Sequence, residues 1–223
     1  MDFIFMLTRD DATVVNALAL AETAIGVGVK DIGFKDIGVD IEVLVKITER
    51  LREAGARIWM EVVATTRQAE LRSLGIAREL AVDAVMGGTA VDEALSLLAG
   101  SGLAYLPFAG RPQGHPTMLA GAPAEVEAHC RGFVARGCSG SDLLAYRAIE
   151  ADPLDLVAAA RRGLGSRKLV VAGSVSSRER IRALAHAGAD AITVGTAAID
   201  GSYAPGRGGL EAQLKAILAD CAE

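Results

Sequence analysis

Lys35 stands at the end of an otherwise apolar run in the stretch IGFKDIG, and Glu61 follows Trp59 and Met60 in a second such run with no other charge. A lysine withdrawn from water loses part of its preference for the charged form, and a neutral amine forms a Schiff base with a ketone or transfers a proton. A carboxylate at the same depth is costly unless it is paired or used, so Glu61 reads as a general base or as the group that orients Lys35. The bland alternative for Lys35 is an ion pair with Asp36 or Glu61. Adjacent strand residues face opposite ways, so Asp36 joins Lys35 in one pocket, as a further catalytic candidate, only if the chain has turned before Gly38.

Other polar residues fall where apolar runs end. Arg9, Asp10 and Asp11 follow the first run; Arg9 is suited to a carboxylate or a second phosphate, while the two aspartates precede a helical pattern and read as N-caps. The segment FAGRPQGHPTMLAGAP is too long and too rich in Gly and Pro for a minimal turn, which suggests a lid or binding loop. His115 is the one histidine in it and a candidate acid or base; His129 and His186 lie in helical patterns and read as surface residues. In LLAYR, Arg147 is the better candidate for an anionic substrate group, and Tyr146 binds substrate or merely packs.

Near the C-terminus, LVVAGSV and AITVGTA each end an apolar strand in small residues. Gly173 and Gly195 lack a Cβ that would hold an anion off the main chain, and Ser174 and Thr196 add hydroxyl donors. Such a pair of endings suits a phosphate group.

These residues need a scaffold that gathers strand ends. The chain supplies one as a weak repeat of glycine, apolar strand, small or polar residues and amphipathic helix, starting at Gly28, Gly55, Gly102, Gly137, Gly165 and Gly188. Eight strands are expected: Asp2–Leu7, Asp31–Phe34, Ile58–Val63, Ala84–Met86, Ala104–Pro107, Asp142–Ala145, Leu169–Ala172 and Ala191–Val194. Helices fill the gaps, and no linker divides residues 1–223, so the expected α/β architecture is one (β/α)8 TIM barrel with its phosphate site after strands seven and eight. A doubly wound sheet competes, but it usually carries one glycine-rich turn after its first strand.

Composition narrows the partners. A net charge of −5 with no basic block argues against nucleic acid, while one small anion remains compatible. Three cysteines without CxxC or metal-ligand spacing suggest a reducing, cytoplasmic setting and no metal. The apolar stretch Phe3–Leu7 is far too short to span a membrane and reads as the first strand.

With AGSV after strand seven and VGTA after strand eight, the chain resembles the ribulose-phosphate-binding barrel superfamily of sugar-phosphate isomerases, epimerases, decarboxylases and aldolases. The resemblance implies that Gly173, Ser174, Gly195 and Thr196 grip a phosphate. No single member is matched. Strand five ends in Pro107-Phe108 where the amino-sugar isomerases carry an Asp, and no strand end supplies the histidines of the metal-dependent epimerases. The decarboxylase Asp-x-Lys-x-x-Asp is replaced by Gly33-Phe-Lys35-Asp36-Ile-Gly38, and the aldolase lysine lies on a later strand. The expectation is a cofactor-free enzyme acting on a small phosphorylated carbonyl compound, a lyase or aldolase through Lys35. A sugar-phosphate isomerase or epimerase and a non-catalytic phosphometabolite-binding subunit are the alternatives, and a homo-oligomer is compatible with each.

Overall fold

In the computed structural model, which describes residues 1–223, eight parallel strands stand side by side. They are β1 (Asp2–Met6), β2 (Asp31–Phe34), β3 (Arg57–Val62), β4 (Ala84–Gly87), β5 (Ala104–Leu106), β6 (Gly140–Leu143), β7 (Lys168–Val171) and β8 (Ala191–Val194). The hydrogen-bonded order is β6-β7-β8-β1-β2-β3-β4-β5. The two ends of that sheet meet: Ser139 N–H donates to Tyr105 O at 2.9 Å, Asp142 N–H to Pro107 O at 3.0 Å, and Ala109 N–H to Asp142 O at 3.1 Å. The result is the expected (β/α)8 barrel, with β5 and β6 joined along a short seam.

Helices α1 (Ala17–Val27), α2 (Ile41–Glu53), α3 (Arg67–Glu79), α4 (Val91–Leu98), α5 (Pro123–Arg136), α6 (Pro153–Leu164) and α7 (Arg178–Ala187) follow the first seven strands; the short α8 (Thr196–Ile199) and then α9 (Leu210–Cys221) follow β8. Thr66, Asp152 and Ser177 cap α3, α6 and α7 by accepting N–H bonds from the first turn. Gly28, Gly137 and Gly188 end α1, α5 and α7 in the left-handed conformation, as the repeat predicts.

β2 and β8 have the expected limits. β6 departs most: it begins at Gly140, two residues before the expected Asp142, and the chain after Leu144 turns into a single 3-10 turn, Ala145–Arg147. The expected strand leaves out Gly140 and Ser141, which are small and lack the apolar signal. In the structure Gly140 is a strand residue that lets β7 approach, since a Cβ there would lie 2.0 Å from Lys168 O.

Two apolar cores result, one on each side of the barrel wall. Between strands and helices lie 53 buried residues, among them Phe5, Ile32, Phe34, Leu74 and Val171. Inside the barrel lie Ile4, Met6, Trp59, Ala84, Met86, Leu106, Val170 and Ala191. Gly33 faces this lumen, where a Cβ would come within 2.6 Å of Met6 Sδ, so the strand yields its space to Met6 and Trp59. The indole N–H of Trp59 donates to Asp31 Oδ1 at 2.7 Å, which satisfies both buried polar groups. The lumen is thus filled below, and only its upper end is open to polar chemistry.

Two small hairpins ornament that upper end. Thr8–Arg9 pairs antiparallel with Ala12–Thr13 around Asp10 and Asp11, whose φ values of 50° and 62° mark a turn of type I′. Arg111–Gln113 pairs with Met118–Ala120, so the long Gly/Pro-rich segment is itself a hairpin.

Candidate active site

Lys35 immediately follows β2, and strand alternation carries its side chain inward on the same face as Gly33. It is 2% exposed. Its backbone is clamped by Thr13, whose hydroxyl accepts from Lys35 N–H at 2.9 Å and donates to Lys35 O at 2.7 Å. Its Nζ lies 3.0 Å from Asp11 Oδ1 and 3.2 Å from Glu61 Oε2. The partner expected from sequence, Glu61, is therefore joined by one that the sequence reading assigns elsewhere.

Asp11 is not a helix cap. Helix α1 starts at Ala17, six residues downstream, and Asn16 precedes it without a side-chain cap bond. The tight hairpin turn aims Asp11 into the barrel mouth, where it is 4% exposed. It accepts from Arg147 Nη1 at 2.9 and 2.8 Å and from Thr117 N–H at 2.8 Å, besides Lys35. Burial opposes its ionisation, but the Arg147 hydrogen bonds, the charge of Lys35 and the Thr117 N–H together hold its carboxyl well below the usual range. Arg147 also donates to Thr117 O at 3.2 Å, so one junction ties the first hairpin, the turn after β6 and the second hairpin together.

Asp36 faces away from Lys35. It accepts a hydrogen bond from the Ser73 hydroxyl of α3, outside the barrel wall, and shares no cavity with Lys35. The chain has not turned by residue 36, so the two side chains diverge as alternation demands. His115 is exposed and lies beside Asp36, Ile37 and Arg72, likewise apart from Lys35. His129, expected at the surface, is half-buried, and its Nδ1 accepts from Gly110 N–H at 3.1 Å.

Lys35, Glu61, Asp11 and Arg147 line a cavity of about 410 Å³ whose other wall is Gly173, Ser174, Arg180, Gly195 and Thr196. The loop glycines do more than bare the backbone. A Cβ on Gly173, at φ 76°, would sit 2.6 Å from Arg147 Nε, and one on Gly195 would sit 2.7 Å from Thr8 O. Both spaces are taken by the protein's own groups, so each glycine also serves the packing of the barrel mouth. At the start of α8, Ala198 and Ile199 N–H donate to Gly195 O at 3.0 and 3.1 Å, while the N–H groups of Thr196 and Ala197 have no backbone acceptor.

Arg180 of α7 is the cation that sequence reading missed, hidden in an ordinary amphipathic helix. Its guanidinium stacks 4.5 Å above the Tyr146 ring and donates to Ser174 O. Tyr146 is therefore the platform under Arg180. Arg9 is spent on an exposed ion pair with Asp200.

Asp142 is the second group missed. Ser141 turns its hydroxyl to Pro107 O, while Asp142 is completely buried and both its carboxyl oxygens lack a hydrogen-bond partner. Burial, reinforced by the negative charge of Glu61, pushes its pKa well above the usual carboxylate range against the opposing pull of Lys35 and Arg147. No group of His, Cys, Asp and Glu side chains is placed to hold a metal ion, and no helix is long and apolar enough to cross a membrane.

No family model and no curated protein matches the chain. Solved structures do. The fold is similar to orotidine 5′-phosphate decarboxylase from Pyrococcus horikoshii, with 17% identity over 99% of both chains and a TM-score of 0.68. It is similar to a native KDPGal structure, with 13% identity over 99% of this chain and 94% of that one and a TM-score of 0.69. Thiamine phosphate pyrophosphorylase from Pyrococcus furiosus is similar at 11% identity over 99% of this chain and 95% of that one, with a TM-score of 0.65. At these identities the likeness is one of fold.

Proposed function

We propose that this barrel is an enzyme acting on a small phosphorylated carbonyl compound, by a lyase-type reaction in which Lys35 meets the carbonyl carbon. One observation carries the reading: the Lys35 amine sits between Asp11 and Glu61 on the floor of the same cavity whose far wall is formed by the loops after β7 and β8. A phosphate held by Ser174, Thr196 and Arg180 presents a carbonyl a few bonds away to that amine. Likeness in fold to orotidine 5′-phosphate decarboxylase and to the native KDPGal structure supports the lyase class.

In this reading Glu61 takes a proton from the Lys35 ammonium and the free amine adds to the carbonyl. Loss of water leaves an iminium whose positive charge rests where the ammonium was, between the two carboxylates. The proton that Glu61 took leaves in that water, and the bond between the α and β carbons then breaks. Its electrons form the enamine while Glu61 takes the proton of the β-hydroxyl, as that carbon becomes the carbonyl of the departing fragment. Glu61 passes this proton to the enamine carbon, and water hydrolyses the iminium to free Lys35. Asp11 stays ionised throughout and keeps Arg147 and Lys35 in place.

A second reading is favoured by the double ion pair itself. Two carboxylates against one amine suit a lysine that stays charged and polarises the carbonyl while Glu61 removes the α-proton, which is the chemistry of an isomerase. Borohydride reduction in the presence of phosphorylated ketoses and aldoses separates the two. A mass adduct on the Lys35 peptide that is absent from Lys35→Met supports the lyase. Substrate interconversion with no adduct at any concentration supports the isomerase. If neither occurs although phosphorylated metabolites bind, a non-catalytic binding subunit takes their place.

A further inference from the structure

A second chamber of about 620 Å³ opens at the barrel mouth over β3, β4 and β5. It adjoins the first at one junction. Thr117 lines the second chamber while its N–H is bonded to Asp11, which lines the first.

The lining of the second chamber differs in kind from that of the first. Hydroxyls come from Thr65 and Thr66 between β3 and α3 and from Thr89 between β4 and α4, and Gln113 of the second hairpin adds an amide. The charged groups around it are already engaged. Arg67 pairs with Glu93. Glu70 accepts from Thr89 N–H and Ala90 N–H, both at 2.8 Å, and so closes the N-terminus of α4. Thr117 is 4% exposed, its backbone is committed to Asp11 and Arg147, and its hydroxyl is sealed from water without any partner. That hydroxyl is closed to the chamber as well, so the neutral groups open to a ligand are the exposed hydroxyls of Thr65, Thr66 and Thr89 and the Gln113 amide.

We propose that this chamber binds the neutral, hydroxyl-bearing half of the substrate. The molecule then lies across the barrel mouth, with its phosphate at the loops after β7 and β8, its carbonyl over Lys35, and its polyol end among Thr65, Thr66 and Thr89. This rests on the phosphorylated-carbonyl reading given above and adds to it a direction and a chemical class: a polyhydroxylated tail without charge. An anionic tail would meet Glu70 and Glu93 with no free cation to receive it.

The test uses the full chain and two unreactive probes, inorganic phosphate and erythritol, followed by NMR. Erythritol should shift the methyl signals of Thr65, Thr66 and Thr89, and phosphate the amides of Ser174 and Thr196, with neither probe displacing the other. Thr65→Val and Thr89→Val should each weaken erythritol binding by roughly three- to tenfold, the scale of one neutral hydrogen bond, and leave phosphate binding unchanged. Erythritol that leaves those methyls unmoved, competes with phosphate, or binds equally well to both variants overturns the proposal, as does phosphate that settles in the second chamber. If erythritol behaves as stated and phosphate fails to reach the loops, the polyol chamber stands and the phosphate reading falls.

Discussion

Asp11 has the heaviest duty of any single side chain, because it compensates two cations at the mouth of the barrel. Asp11→Asn keeps the shape and removes the charge, leaving Lys35 to Glu61 alone and Arg147 without an anion. The loss of stability should be about 3–5 kcal/mol near neutral pH, the range for one partner removed from a buried pair. Its pH dependence has a definite sign. A carboxyl held below its ordinary value of 3.8 stabilises the fold above that value and loses the contribution as pH falls toward the depressed one. The gap between wild type and variant should therefore narrow by about 1 kcal/mol on going from about pH 7 to about pH 3, which denaturant unfolding at the two pH values measures. Sequence reading finds Lys35 and Glu61 because each interrupts an apolar run, a signal that needs no tertiary context. It misses Asp11 because paired aspartates before a helical pattern look like caps; the type I′ turn that redirects them leaves no glycine to betray it.

At the scale of the elements, strand placement was legible wherever a helix-ending glycine and an apolar run agreed, as at β2 and β8. β6 was blurred, since GSDL is small and polar and its inward-facing aspartate breaks the apolar pattern. The structure gives Gly140 a specific task there, the close approach of β7. Gly140→Ala should cost about 3 kcal/mol through displacement of the Lys168 carbonyl, whereas Gly55→Ala, with nothing within 4 Å of the added methyl, should cost only the strain of its φ of 69°. Thermal melts of the two variants check the ordering, and equal losses would mean that β6 and β7 have room to spare. Arg180 and Thr117 escaped notice for a related reason: a helix arginine and a loop threonine acquire meaning only when Tyr146 and Asp11 are brought beside them.

Across the whole molecule, the loops after β7 and β8, where the phosphate is proposed to bind, face an acidic and hydroxylated wall on β3 to β5, with Lys35 between. Millimolar inorganic phosphate should raise the melting temperature, by the equivalent of about 2.7 kcal/mol when phosphate exceeds its Kd a hundredfold. Arg180→Met should abolish most of that rise and barely change the melting temperature without phosphate, since the guanidinium is bonded only to Ser174 and Ser176 and rests on Tyr146. A rise that survives in this variant would place the anion elsewhere. Gly195 is the wrong residue for the experiment, because any Cβ there strikes Thr8 O and disturbs β1 with or without an anion.

The seam between β5 and β6 runs through Asp142, whose own N–H and C=O make two of its bonds. Burial favours the neutral form of this carboxyl, and local opening at that seam admits water, which shifts it back toward ionisation. Opening thus releases a proton, and each step up in pH above the ordinary carboxylate range favours the open form. Amide hydrogen exchange reads this directly. For the N–H groups of Ser139 and Ala109 the logarithm of the exchange rate should climb with pH more steeply than the slope of about one that hydroxide catalysis alone gives, and should fall back to about one in Asp142→Asn. A buried acid placed on the zipper of a barrel makes the looseness of the whole cylinder a function of proton activity.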